Sequence, residues 1–270
     1  MSHRSRLALA LLLGLAGATH AQDSAKAPAR KLLVELYTSQ GCDSCPSASE
    51  LLGKLGSLGY GPEKIVALGF HVDYFNTPWV DPYSSNEYSR RQASYNEVTG
   101  RDDLYFTPLL MIDGRYPMLG SDRVKVSTSL KQAAREAPGV DLRLKLAGGQ
   151  GQRLVEVAVK PLTEETQGRD LLVGLALTED PISTRVGAGE NGGKTLVEHA
   201  VVRSFVHKFI RLDDAAGTTL RLPVALARGQ DPAKTRVAAF VQGRADGRVH
   251  QAESIPWTVD KTLPAKGAKP

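Results

Sequence analysis

The sequence predicts an α/β domain followed by an antiparallel all-β sandwich domain. Three observations lead there. Between residues 31 and 139 apolar runs and helical stripes follow the order strand–helix–strand, a long connection, then two strands and a closing helix. After residue 140 the texture changes to about seven short alternating runs separated by Gly, Asp and Asn turns, without strong helices. The only two cysteines of the 270 residues, Cys42 and Cys45, sit where the first strand meets the first helix, so no other pairing within one chain is possible.

Residues 1–21 read as a secretory signal peptide. Arg4 and Arg6 form a basic start, an apolar run of Leu, Ala and Gly occupies 7–18, and Ala18 and Ala21 suit cleavage. The run is too short to cross a bilayer, and no later run approaches the roughly 20 residues a helical span needs. The mature chain is therefore expected to be secreted or periplasmic, without a membrane span, in a compartment where a disulfide persists. The formal net charge is +5. Its Lys and Arg are dispersed, with no basic stripe interleaved with aromatics, which argues against a nucleic-acid partner. The sequence implies no oligomeric state.

Residues 22–30 form a polar leader. The apolar run 31–38 reads as a buried strand. Residues 45–59 read as a helix, with Pro46 in its first turn and Leu51, Leu52, Leu55 and Leu58 on one stripe. Gly61-Pro62 breaks the chain before a second buried strand at 64–72. A right-handed parallel unit places the C-terminal ends of both strands on one sheet edge. Cys42 leaves the first strand there, and His71 and Asp73 leave the second. Residues 74–106 form a helical insertion, with a polar-aromatic helix at about 84–98. Trp79, Tyr83 and Tyr88 read as its core, Asp81-Pro82 as a turn, and Arg90-Arg91 as a solvated helix face. Thr107-Pro108 then precedes a strand at 109–112, Asp113-Gly114 signals a hairpin with a return strand at 115–119, and 121–137 closes the domain as a helix stopped by Pro138-Gly139.

The spacing from Val34-Glu35-Leu36-Tyr37-Thr38 to Cys42-x-x-Cys45 resembles the glutaredoxin entry, and Thr107-Pro108 stands where the thioredoxin superfamily has its cis-proline. The segments LLVELYTSQGCDSCPSASELLGKL, HVDYFNTPWVDPYSS, YFTPLLMIDGR and GENGGKTLVEHAVVRS are similar to the exported thioredoxin-like family catalogued as domain of unknown function 1223. The resemblance covers about residues 31–257. It implies a thioredoxin-like fold for 31–139, with a cis Thr107–Pro108 bond beside the cysteines and the Thr107 backbone holding an extended substrate segment. It brings no established reaction.

The strands expected in the second domain, 140–260, lie at 141–146, 154–159, 171–177, 195–206, 220–225, 237–241 and 249–252. Residues 261–270 read as a disordered Lys/Pro/Gly tail. Gly187-x-Gly189-x-x-Gly192 is spelled like a dinucleotide fingerprint, but the run after it alternates like a strand and opens no helix. It reads as a glycine-rich turn, with docking against the first domain as a secondary reading. His199 and His207 are too far apart on one straight strand to chelate one ion.

The dithiol admits three readings: redox chemistry, metal binding and an inert disulfide. A bridge over two residues adds only about 2 kcal/mol by loop entropy, little return for a chain's only cysteines, and a helix start favours thiolate. Thiol–disulfide exchange is therefore the favoured reading, with a thiol or disulfide substrate, most simply a protein. Cys42 would be the attacking or attacked sulfur and Cys45 would resolve the mixed disulfide. Asp43 opposes thiolate formation and leaves the direction of reaction open. His71 and Asp73 read as accessory groups or as a pair pinning the insertion. Glu35 reads as a proton relay for Cys45 or as a carboxylate facing the insertion. No cofactor is expected under the redox reading. The rivals are a copper or zinc chaperone using Cys42, Cys45 and His71, and a binding module in which the pair is dispensable.

Overall fold

The computed structural model describes residues 28–148 and 152–258. The expected signal segment, residues 22–27 of the leader and the tail 261–270 lie outside the described residues. The chain runs β1 (Leu32–Thr38), α1 (Cys45–Lys54), β2 (Ile65–His71), α2 (Asn86–Thr99), β3 (Leu109–Ile112), β4 (Tyr116–Leu119), α3 (Arg123–Ala133), β5 (Val140–Ala147) and β6 (Arg153–Pro161). It continues through β7 (Asp170–Glu179), β8 (Ile182–Arg185), β9 (Thr195–Glu198), β10 (Val201–Arg211), β11 (Thr218–Val224), β12 (Thr235–Gly243) and β13 (Val249–Pro256).

The expected fold class is corrected here. The chain does not build a thioredoxin-like α/β domain followed by a separate sandwich. It is mostly β, around one mixed eight-stranded sheet in the order β13-β12-β7-β10-β2-β1-β3-β4. A three-stranded sheet, β11-β6-β5, and the hairpin β8-β9 complete it. The sheet therefore runs through the boundary expected at residue 140. The physical reason is the free edge of β2. A buried strand needs partners for its backbone groups, and β10 supplies one at Val201↔Gly69, where Gly69 N–H donates to Ala200 O at 2.7 Å. A Cβ at Gly69 would stand 2.8 Å from His199 O, so only glycine admits this neighbour. Ala200 takes φ +50 to present its carbonyl, which breaks the single expected strand 195–206 into β9 and β10.

The apolar clusters follow the same plan. One joins Tyr37, Phe70 and Tyr95 to Phe205, Ala238 and Phe240, so residues from both sides of position 140 share a core. A second packs the small sheet (Val155, Val157, Val159) against β7 and β12 (Val173, Leu175, Val237, Ala239), the part of the molecule that is a true sandwich. A third holds α1 and α3 on β1 and β3 through Val34, Leu36, Leu51, Leu52, Leu110 and Leu130. The parallel pairing of β1 with β2, Thr38↔His71 included, brings the C-terminal ends of both strands to one edge. No helix among the described residues is long and apolar enough to cross a membrane.

Candidate functional site

Cys42 and Cys45 form a disulfide with their Cα atoms 5.4 Å apart. Cys45 is the first residue of α1 and shares the buried stripe with Ala48, Leu51 and Leu52, so it faces the core. Both cysteines are buried, at 2% and 1% exposure, although Asp43 and Ser44 between them are exposed. The loop is thus at the surface and its cysteines are beneath it.

The cover comes from the other half of the chain. In the connection between β8 and β9, the buried Asn191 donates to Gln40 O at 3.0 Å and to Cys42 O at 2.8 Å. Glu190 Oε2 accepts the Asp43 backbone N–H at 2.9 Å. Gly187 lies under the Trp79 ring, where a Cβ would come within 2.6 Å of it. The glycine-rich run spelled like a nucleotide loop is therefore the lid of the cysteine loop, as the docking reading had it.

Beneath the lid lies a buried charge cluster. His71 Nδ1 meets Asp81 Oδ2 at 2.7 Å, and its Nε2 lies 3.7 Å from Glu198 Oε1. Gln40 ties the cluster to the cysteine loop: its backbone N–H donates to Asp81, its Nε2 donates to Glu198 at 2.6 Å, and its Oε1 accepts from Trp79 Nε1. Burial alone would hold the His71 pKa down, but the charges of Asp81 and Glu198 and the Asp81 hydrogen bond override it and raise it to about 9. Burial also acts to raise Asp81, yet His71 and two backbone N–H groups leave its carboxyl below the usual range. Glu198 moves the other way: its burial outweighs the longer contact with His71, and its pKa is raised. Glu198 and Cys45 line one cavity of about 180 Å³ with Thr38, Ser39, Ser49 and Leu196. That is room for ordered water beside both residues.

The other expected residues fall in several places. The Thr107–Pro108 peptide is cis. β3 pairs with β1 up to Tyr37↔Leu109, so Thr107 and Pro108 continue toward the end from which Cys42 departs. Thr107 Oγ1 is buried without a hydrogen-bond partner among the described residues. Asp73 does not join His71. It accepts from Ser89 Oγ at 2.5 Å, and its backbone N–H donates to the same hydroxyl, which pins α2. Glu35 is fully buried and accepts from Arg91 Nε at 2.7 Å, from Tyr37 at 3.2 Å and from Tyr95. It belongs to the α2 cluster, not to Cys45, so it faces the insertion. Arg90 is exposed, but Arg91 is buried, with Phe240, Phe205 and Tyr95 rings within 6 Å of its guanidinium, which corrects the solvated-face reading. Among the described residues no group of three His, Cys, Asp or Glu side chains is placed to hold a metal ion. The cysteines bond each other, and both His71 nitrogens face carboxylates.

A family model described as "protein of unknown function (DUF1223)" matches residues 33–242. The chain belongs to the DUF1223 family. No curated protein matches it. The DUF1223 chain is similar to a crystal structure of a protein from Agrobacterium tumefaciens, at 24% identity and TM-score 0.65 over 88% of this chain and 99% of that one. It is also similar to HBP35 of Porphyromonas gingivalis, at 15% identity and TM-score 0.64 over 89% and 80%. These likenesses concern the fold.

Four residues of the DUF1223 site had no site role in the sequence reading: Gln40 and Glu198, and Asp81 and Asn191, which read only as turn residues. Glu198 carried a signal, since it shares parity with buried Leu196 on β9 and is a charge on an inward face. Asp81 carried none beyond a turn.

Proposed function

We propose that this chain is an exported thiol–disulfide exchange protein whose Cys42–Cys45 bond is gated by the lid between β8 and β9. One observation carries the reading. The chain's only cysteines form a buried disulfide that a separate hairpin holds shut, beside a buried imidazole–carboxylate cluster. A bridge kept only for stability gains little from such a gate, because its loop-entropy contribution is only about 2 kcal/mol.

The reaction runs as follows when a dithiol substrate is the reductant. With the lid open, a substrate thiolate attacks Cys42 Sγ, the sulfur reached through the exposed Asp43-Ser44 loop. A substrate–Cys42 bond forms, the Cys42–Cys45 bond breaks, and Cys45 leaves as a thiolate and takes up a proton. The second substrate thiol then displaces Cys42. Two electrons pass from substrate to protein, and the substrate departs as a disulfide; the reverse sequence oxidises the protein. Glu198, with its raised pKa, supplies or accepts the Cys45 proton through the shared cavity. Thr107, with its unpartnered hydroxyl, lies toward the same end of β1 and positions the incoming segment. The N-terminal signal pattern and the oxidised pair support an exported site of action.

The test is a redox titration of the mature protein in dithiothreitol buffers. The expected result is one two-electron transition with a midpoint above roughly −300 mV. A pair that stays oxidised well below that potential, or that never exchanges, would sink the reading.

A further inference from the structure

A largely apolar cavity in which several polar groups converge lies away from the disulfide, beyond the other end of α1. It measures about 230 Å³. Its walls include Leu52, Leu55, Tyr60, Ile65 and Ala238, and exposed Gly53, Gly56 and Pro62 form its rim. Polar groups reach it from four separate strands or turns: Thr178 on β7, His199 between β9 and β10, Arg236 on β12 and Ser254 on β13. An apolar pocket with a few convergent polar groups is the usual form of a small-molecule site.

The charges there do not balance. His199 Nδ1 is 2.8 Å from Asp180 Oδ1, and that hydrogen bond, ahead of the other influences, raises the imidazole pKa, so the two charges offset one another. Arg236 is left over. It is half-buried, and among the described residues its hydrogen bonds run from Nε and Nη2 to Ser254 only. The carboxylate whose field it feels, Glu253, is ion-paired to Lys31. Held through Nε and Nη2 by a hydroxyl and a carbonyl, the guanidinium keeps Nη1 to donate to a carboxylate. The local sequence also leaves room for this arrangement. Gly53 stands in the last turn of α1, where glycine is a poorer helix former than alanine. A Cβ there would lie 2.4 Å from His199 Nε2, so glycine is what lets the imidazole edge lie on the helix.

We infer that this cavity binds a small organic monocarboxylate, its apolar body against Leu52, Leu55 and Ile65 and its carboxylate on Arg236. The volume sets the size. A cavity of about 150 Å³ takes benzene, so by proportion this one takes a molecule of about eight to ten heavy atoms. The site is independent of the cysteines, and its ligand is a bound molecule and not a redox substrate.

Isothermal titration of the oxidised mature protein with octanoate, and with octanamide as its neutral match, tests the inference. Octanoate is expected to saturate one site. Octanamide and the Arg236→Gln variant are each expected to bind roughly 10-fold or more weakly, the loss of one charge-assisted hydrogen-bonded pair. Ala67→Leu, which fills the cavity from β2, is expected to abolish octanoate binding with the arginine intact, and it serves alone if Arg236→Gln does not fold. Equal binding of acid and amide, unchanged affinity in either variant, or no saturation at millimolar octanoate would each overturn the proposal.

Discussion

Two buried ionic clusters tie the halves of this molecule together, and they are built differently. Around Glu35, one carboxylate meets one guanidinium and two phenols, Gln242 bonds the guanidinium and one phenol, and aromatic rings close over Arg91. Every charge has an opposite, and the cluster is sealed. Around His71, one imidazole faces two carboxylates, and one of these shares a cavity with the disulfide. That cluster sets two carboxylates against one imidazole, and burial raises the pKa of one of them, Glu198. The first arrangement suits a pin; the second suits a site that takes up and releases protons. Burial is common to both, so burial alone does not separate structural from functional charge. The balance of charges and access to a cavity do.

Four experiments sharpen or break this contrast. The largest effect is expected from Arg91→Met, which strands Glu35 in the core. Denaturant unfolding should show a loss of about 3–5 kcal/mol, largely restored by adding Glu35→Gln. A loss under about 1 kcal/mol would mean that the pin is not one.

The second is pH dependence at His71. Its folded pKa of about 9 lies above the ordinary 6.5. The stabilisation is therefore fully present below about pH 6.5 and is lost as pH rises through 9. At about 1.4 kcal/mol per unit it amounts to on the order of 3 kcal/mol. Unfolding midpoints measured from pH 6 to 10 should fall across this window, and His71→Gln should flatten the curve. A flat wild-type curve would remove the charged imidazole from the cluster.

Third, Cys42→Ser/Cys45→Ser should cost about 2 kcal/mol of stability, because the closed loop is short. A much larger loss would shift the balance toward a structural bridge. Fourth and smallest in stability, Asn191→Ala leaves the Gln40 carbonyl without this donor and the Cys42 carbonyl with only the Cys45 N–H at 3.3 Å, at about 1–2 kcal/mol. The same change eases lid opening, so reduction by dithiothreitol should accelerate by roughly 10-fold. An unchanged rate in a stable variant would show that the lid does not gate the sulfurs.

Much of the local structure was legible in the residues. β1, β2, β3 and the hairpin after Ile112 lie within two residues of their expected positions, because unbroken apolar runs and Asp113-Gly114 are short-range signals. α2 lies where expected and Tyr88 is buried as its core reading had it, yet Arg91 on the same stripe reads as solvated, because polarity shows on a sequence while pairing does not. The short strand β8 was missed, since four residues of mixed polarity carry no period.

The sequence by itself determined that the only two cysteines stand between a strand and a helix, and that His71 ends the neighbouring parallel strand. Both follow from spacing along the chain, which periodicity reports directly. Only the tertiary structure decided that one sheet continues from β2 to β10 and that a lid from residues beyond 186 covers Cys42. It also decided that Asp81 and Glu198, and not Asp73, are the partners of His71. Those outcomes depend on which free edge and which buried charge meet across about 10 to 160 residues of chain. The demand for partners is physical and general; who answers it is settled only when the chain has closed on itself.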